Sequence, residues 1–182
     1  MKIGKYFYGE WIVPIGDYYS ILKPTERNYE IYLPAFIALV VTGIYYDSGC
    51  ILPALLKLRD ILPASLAILI GFSITSITIW LSSNNKNIDD VKNRSTEDRI
   101  ISGKLISIYQ WVLIMFIYVL LVQIFLLLMV FFTAFILRIY SGDIFMSCLL
   151  FIEVYLTLHI LFLLIRSITN FYFVFFRKPE ES

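Results

Sequence analysis

The chain has 182 residues, of which 59% are hydrophobic and 17% aromatic but only 16% charged, and its mean hydropathy is +0.79. That mixture is too apolar for one soluble domain, and a formal net charge of +1 supplies neither a basic field for direct nucleic-acid binding nor an acidic tail. The apolar residues run in unbroken blocks of roughly twenty, the length that crosses about 30 Å of hydrocarbon, so the blocks are expected to be membrane spans.

Residues 1–30 mix tyrosines, Trp11, Pro14, Pro24 and charges without a sustained helical stripe. Such a segment suits the headgroup surface, where Tyr and Trp prefer to sit, and it shows no cleavable signal peptide. The first span is predicted from about Glu30 to Tyr46, with Tyr32, Tyr45 and Tyr46 as aromatic belts. Asp47-Ser48-Gly49 ends it, and Cys50 to Asp60 is expected as an interfacial loop or short surface helix. The second span is predicted from Ile61 to Leu81, with Pro63 tolerated in its first turn. Residues 82–104 form the one strongly polar stretch and hence the main soluble loop. Within it, Ser95 or Thr96 followed by Glu97 and Asp98 has an N-cap pattern, so a helix is expected to begin there. Its apolar part, 105–137, is the third span; at 1.5 Å per residue it measures roughly 50 Å and must tilt, bend or protrude. Arg138 to Asp143 makes a turn. The fourth span runs from Ile144 to about Ile165, followed by an aromatic tail from Phe171 to Phe176 that either prolongs the helix or lies in the interface.

The fold class that follows is an all-α polytopic membrane protein, a four-transmembrane-helix bundle forming a single domain over 1–182. Lys2, Lys5, Lys23, Arg27, Lys86, Lys92, Arg94, Arg99, Lys104, Arg166, Arg177 and Lys178 fall on one side, against Lys57, Arg59 and Arg138 on the other, twelve to three. The positive-inside rule then puts both termini and the 82–104 loop in the cytoplasm.

Few residues invite chemistry. Glu153 lies near the middle of the fourth span, where a charged carboxyl costs several kcal/mol unless protein or water receives it. It is expected to be a neutral or partnered group within the bundle, the alternative being a proton- or ion-responsive site. His159, the single histidine, follows six residues later and points about 120° away. Across an antiparallel hairpin of the last two spans it lies at the depth of Gln123, so a His159–Gln123 hydrogen bond is expected. Ala64, Ala67, Gly71, Thr75 and Thr78 form a small-residue stripe on the second span, with Ala67, Gly71 and Thr75 at its centre. It is expected to serve close helix packing; the opposing reading is a pore lining shared with Ser73 and Ser76 among several subunits. Cys50 and Cys148 lack the spacing of a metal or redox pair, and no metalloprotease, nucleophile-elbow or phosphate-loop motif is present. No catalytic residue, metal ligand or cofactor is therefore expected.

The remaining clue is layout: a small four-span chain with both ends cytoplasmic, one modest polar loop at Ser82 to Lys104 and no enzymatic domain. In this it resembles the membrane subunit of bacterial anti-phage defence systems of the Kiwa type. The resemblance implies a non-enzymatic sensor or anchor in the bacterial inner membrane, working with a soluble cytoplasmic partner in antiviral defence. It transfers no functional residue. A homo-oligomer, and a small oligomeric ion channel or transporter as the alternative function, stay open at this stage.

Overall fold

The computed structural model of the protein describes residues 9–83, 86–140 and 142–176. Lys2, Lys5, Arg177 and Lys178 of the charge count, Asn84 and Asn85 of the polar loop and Ser141 of the predicted turn lie outside them.

After a single 3₁₀ turn, α1 (Val13–Ile21) leads through Leu22 and Lys23 into the short α2 (Pro24–Arg27). Pro24 suits the first helical position, where no amide partner is needed, and it holds Lys23 extended. A π turn (Asn28–Tyr32) joins α2 to α3 (Leu33–Asp47). The π turn has a covalent origin in Pro34. Proline has no N–H to give the carbonyl four residues back, and its ring crowds that carbonyl, which belongs to Glu30. A wider turn relieves the clash.

A turn through Gly49, whose φ is +67°, then opens α4 (Ile51–Ser82). The segment expected over 50–60 as an interfacial loop or short surface helix is helical but continuous with the span, as the first three turns of α4, and Pro63 sits in its interior. The flanking leucines explain the continuation: Ile51, Leu55, Leu62 and Leu66 fall on one buried stripe, so packing outweighs the one backbone bond that Pro63 removes.

Helix α5 (Lys86–Asn93) follows, docked by Ile88 and Val91 against Trp80, Val112 and Phe116. The helix expected to start at Ser95 or Thr96 does not form there. Residues Ser95–Ile101 (β1) and Lys104–Ser107 (β2) pair as an antiparallel hairpin, closed by Ser102 and Gly103 at φ +50° and +79°. Two consecutive residues of positive φ make the two-residue turn whose twist matches paired strands. The Thr96 hydroxyl donates to the Ile106 carbonyl at 2.7 Å, so it braces the hairpin rather than capping a helix. The cap lies eleven residues beyond Thr96, at Ser107. Ser107 accepts from the Gln110 amide while the Gln110 side chain accepts from the Ser107 amide, a reciprocal capping box that starts α6 (Ile108–Ile139). Helix α7 (Asp143–Phe176) completes the chain, with the aromatic tail prolonging it.

Four helices are long and apolar enough to cross a membrane: Pro24–Asp47, Ile51–Ser82, Ile108–Ile136 and Asp143–Phe173. The protein is thus a helical, multi-pass chain of the four-span class, and the hairpin is the one departure from the all-α expectation among the described residues. The spans alternate in direction. One end gathers Trp80 of α4, Tyr109 of α6 and Phe171 of α7, and the other gathers Ile51 and Leu55 with Met146, Leu149 and Leu150. Helix α6 packs between α4 and α7, and α3 packs on α7.

Helix α3 buries only Pro34, Ala38 and Thr42, a narrow line of small residues at four-residue spacing that lets α7 approach closely. The stripe expected to do this on α4 faces outward instead. Ala64, Ala67, Gly71, Thr75 and Thr78 are exposed, and a Cβ added at Gly71 would meet nothing within 4 Å. The opposite face of α4, carrying Leu66, Ser73, Ser76 and Trp80, was the one with enough apolar volume to fill the bundle. Ala38→Leu should therefore destabilise the chain by about 1–3 kcal/mol in mixed-micelle unfolding, through overpacking. Gly71→Leu should stay within about 0.5 kcal/mol of the parent.

Candidate functional site

The buried ion pairs of the bundle gather at the end where α3 begins and α7 closes. Glu30, in the π turn, has no exposed surface. Its carboxylate accepts from the Tyr18 hydroxyl of α1 and from the Arg166 guanidinium of α7. Arg166 also pairs with Glu26 of α2. Glu26 in turn accepts from Arg99 of β1, through Nη1 at 3.1 Å and Nη2 to its other oxygen, a two-pronged contact that fits the planar guanidinium. Arg99 donates as well to the Ile21 carbonyl at the end of α1, at 2.7 Å. The array thus holds two carboxylates against two guanidiniums. The guanidiniums of Arg99 and Arg166 lie 4.2 and 5.2 Å from the ring of Trp111, a cation–π floor. Lys23 and Asp98 add an exposed pair at 2.9 Å.

A second chain of contacts runs into the same place. Tyr19 and Tyr118 hydroxyls are 3.1 Å apart, and Tyr118 lies 2.9 Å from His159 Nε2. The Glu30 carbonyl, which Pro34 deprives of its helical donor, is taken by His159 Nδ1. A carbonyl can only accept, so Nδ1 carries the proton, and in a neutral imidazole Nε2 accepts from Tyr118. Tyr18 stacks on Tyr118 with ring centroids at 3.8 Å, so α1 is held in the core and not merely laid on the surface. Burial, followed by the nearby Glu30 carboxylate, pushes the Tyr18 hydroxyl well above the usual tyrosine range, which keeps it a donor.

The residues singled out from the sequence are distributed differently. His159 belongs to this cluster, but its partners are Tyr118 and Glu30, not Gln123. Gln123 is buried on the α4 side, where its Oε1 accepts from Ser73 at 3.1 Å. The depth argument matched the two residues along the membrane normal and could not see that they occupy different faces of α6 and α7. Glu153 is buried apart from the network, beside Thr133 of α6. Its Oε1, Gln123 Nε2, Thr42 Oγ1 and Ser167 Oγ have no hydrogen-bond partner among the described residues. Thr75 and Thr78 donate to their own helix four residues back, at Gly71 and Ile74, and do not face the bundle.

Glu30, Arg99 and Arg166 entered the sequence reading only as a span end and as counted charges, and Glu26 was not singled out. Signals were present. Glu26 and Glu30 stand one helical turn apart, His159 and Arg166 stand two turns apart on one face, and Pro34 follows Glu30 by four. Among the described residues no group of three or more His, Cys, Asp and Glu side chains is placed to hold a metal.

Comparison with protein-family models, with curated proteins and with solved structures returned no match.

Removing one partner of a buried ion pair leaves the other unsatisfied, so Glu30→Gln and Arg166→Met should each destabilise by about 3–5 kcal/mol, and the double variant by less than the sum. A double-mutant cycle on Tyr118 and His159 should give coupling near 0.6 kcal/mol, whereas His159 and Gln123 should be additive.

Proposed function

We propose that this chain is a non-enzymatic membrane sensor or anchor whose extramembrane unit is mechanically latched to its spans. The observation that carries the reading is Arg99. It stands on a hairpin outside the four span-length helices, yet its guanidinium is buried between Glu26 at the head of the first span and Trp111 in the third. A force or ligand on the hairpin acts directly on Glu26, and through Glu26 on Arg166 of the last span. Such wiring suits a subunit that passes a signal between the membrane and a soluble cytoplasmic partner. The role in anti-phage defence implied by the layout, and an inner-membrane location with both termini cytoplasmic, belong to the same proposal.

The channel alternative draws less support. Ser73 is engaged with Gln123 inside the chain, and the hydroxyls on the outer face of α4 bond to their own backbone.

Two measurements test the reading. Reporter fusions at Asn85 and Ser182 should score cytoplasmic and one at Ser48 external. The full chain, purified in mild detergent from its native host, should retain a soluble partner at defined stoichiometry, and Arg99→Gln should release it while membrane insertion persists. Proton or ion flux from purified protein in liposomes, abolished by Glu153→Gln, would overturn the sensor reading in favour of the channel.

A further inference from the structure

Beside the latch lies an open groove of about 280 Å³, lined by Lys23, Arg94, Thr96, Glu97, Asp98, Arg99, Ile108 and Trp111. Its position fixes the medium around it. Lys23 immediately precedes the first span, and Ile108 and Trp111 are in the first turn of the third, so the groove opens where two spans enter the bilayer. Its charges resolve in pairs. Arg99 is neutralised by Glu26, and Lys23 by Asp98. Arg94 and Glu97 are exposed, and neither side chain has a hydrogen bond or ion pair among the described residues. One cation and one anion are thus left over in a groove at headgroup depth, with a tryptophan in its wall.

We infer that this groove binds the headgroup of an ethanolamine phospholipid of the surrounding bilayer, with the phosphate on Arg94 and the primary ammonium on Glu97. A dipolar ligand answers one free charge of each sign. An anionic glycerol headgroup would bring its phosphate to Arg94 but leave Glu97 facing a negative ligand. A choline headgroup is zwitterionic, yet its quaternary nitrogen has no N–H to donate to the carboxylate. The occupant would lie against Lys23, Asp98 and Arg99, so the lipid becomes a ligand of the latch itself. The inference rests on the membrane-spanning reading above, but it does not need the latch to transmit a signal.

The test uses the full chain in mild detergent, offered an equimolar mixture of phosphatidylethanolamine, phosphatidylcholine and phosphatidylglycerol, with retained lipid read by native mass spectrometry. The parent should retain the ethanolamine lipid over each of the others by about tenfold, the worth of one charge-assisted hydrogen bond. Glu97→Gln should erase the preference over phosphatidylglycerol, and Arg94→Gln should lower retention of all three. Both positions are exposed, so neither variant threatens the fold. Equal retention by the parent, or an ethanolamine preference that survives both substitutions, would overturn the assignment. So would free phosphoethanolamine competing as well as the lipid, because the groove would then belong to a soluble ligand. Partner release by Arg99→Gln without any lipid preference would leave the latch standing and remove the lipid site.

Discussion

Two carboxylates and two guanidiniums withdrawn from water set the terms for everything around them. Moving one ion out of water costs several kcal/mol, and the attraction of a partner offsets that cost only when the geometry is close and the remaining donors are also satisfied. Glu30 meets both conditions through Tyr18 and Arg166, and Arg99 meets them through Glu26, the Ile21 carbonyl and the Trp111 face. These groups come from α1, α2, the π turn, β1, α6 and α7. Withdrawing α2, the π turn, β1 or α7 removes one of the four charges and leaves the others unbalanced.

The backbone contributes as much as the side chains. Pro34 obliges the helix to open at Glu30, and the carbonyl released there becomes the acceptor for His159. The same residue thus presents its carboxylate to Arg166 and its carbonyl to an imidazole two helical turns earlier on α7. Tyr118 orients that imidazole and stacks on Tyr18, so the N-terminal helix is fixed by contacts with the third span. The hairpin enters the buried array through one arginine, with the exposed Lys23–Asp98 pair beside it, whereas α7 reaches the array through both His159 and Arg166. That asymmetry is what a transmitting unit needs, and it underlies the sensor reading.

Much of the architecture was legible because lipid simplifies the sequence code. Four apolar blocks gave four spans, and the alternating directions followed from their connections. The boundaries were harder wherever a tertiary contact overrode local punctuation. Asp60 and Pro63 looked like the threshold of a span, but the buried Ile51 and Leu55 carry the helix back to the turn at Gly49. Thr96 looked like a cap, yet Ser102-Gly103 supplies a two-residue hairpin turn, and the next capping box at Ser107 and Gln110 takes the helix start. Small residues on α4 looked like a packing seam, but smallness alone does not say which face turns inward. The ionic site was hidden for a different reason. Its members lie far apart in the chain, up to 140 residues between Glu26 and Arg166, and at span ends charges are ordinarily solvated.

The central claim is that the hairpin is held to the spans through the shared carboxylate of Glu26. Amide hydrogen exchange across the hairpin in Arg166→Gln tests it most directly, since Arg166 meets Glu26 and Glu30 while Arg99 is the hairpin's own contact with the array. Losing the second guanidinium should leave Glu26 undercompensated and speed exchange in Ser95–Ile101 and Lys104–Ser107 together with the start of the first span. Faster exchange confined to the end of α7 and the π turn, with the hairpin amides as protected as in the parent, would contradict the account.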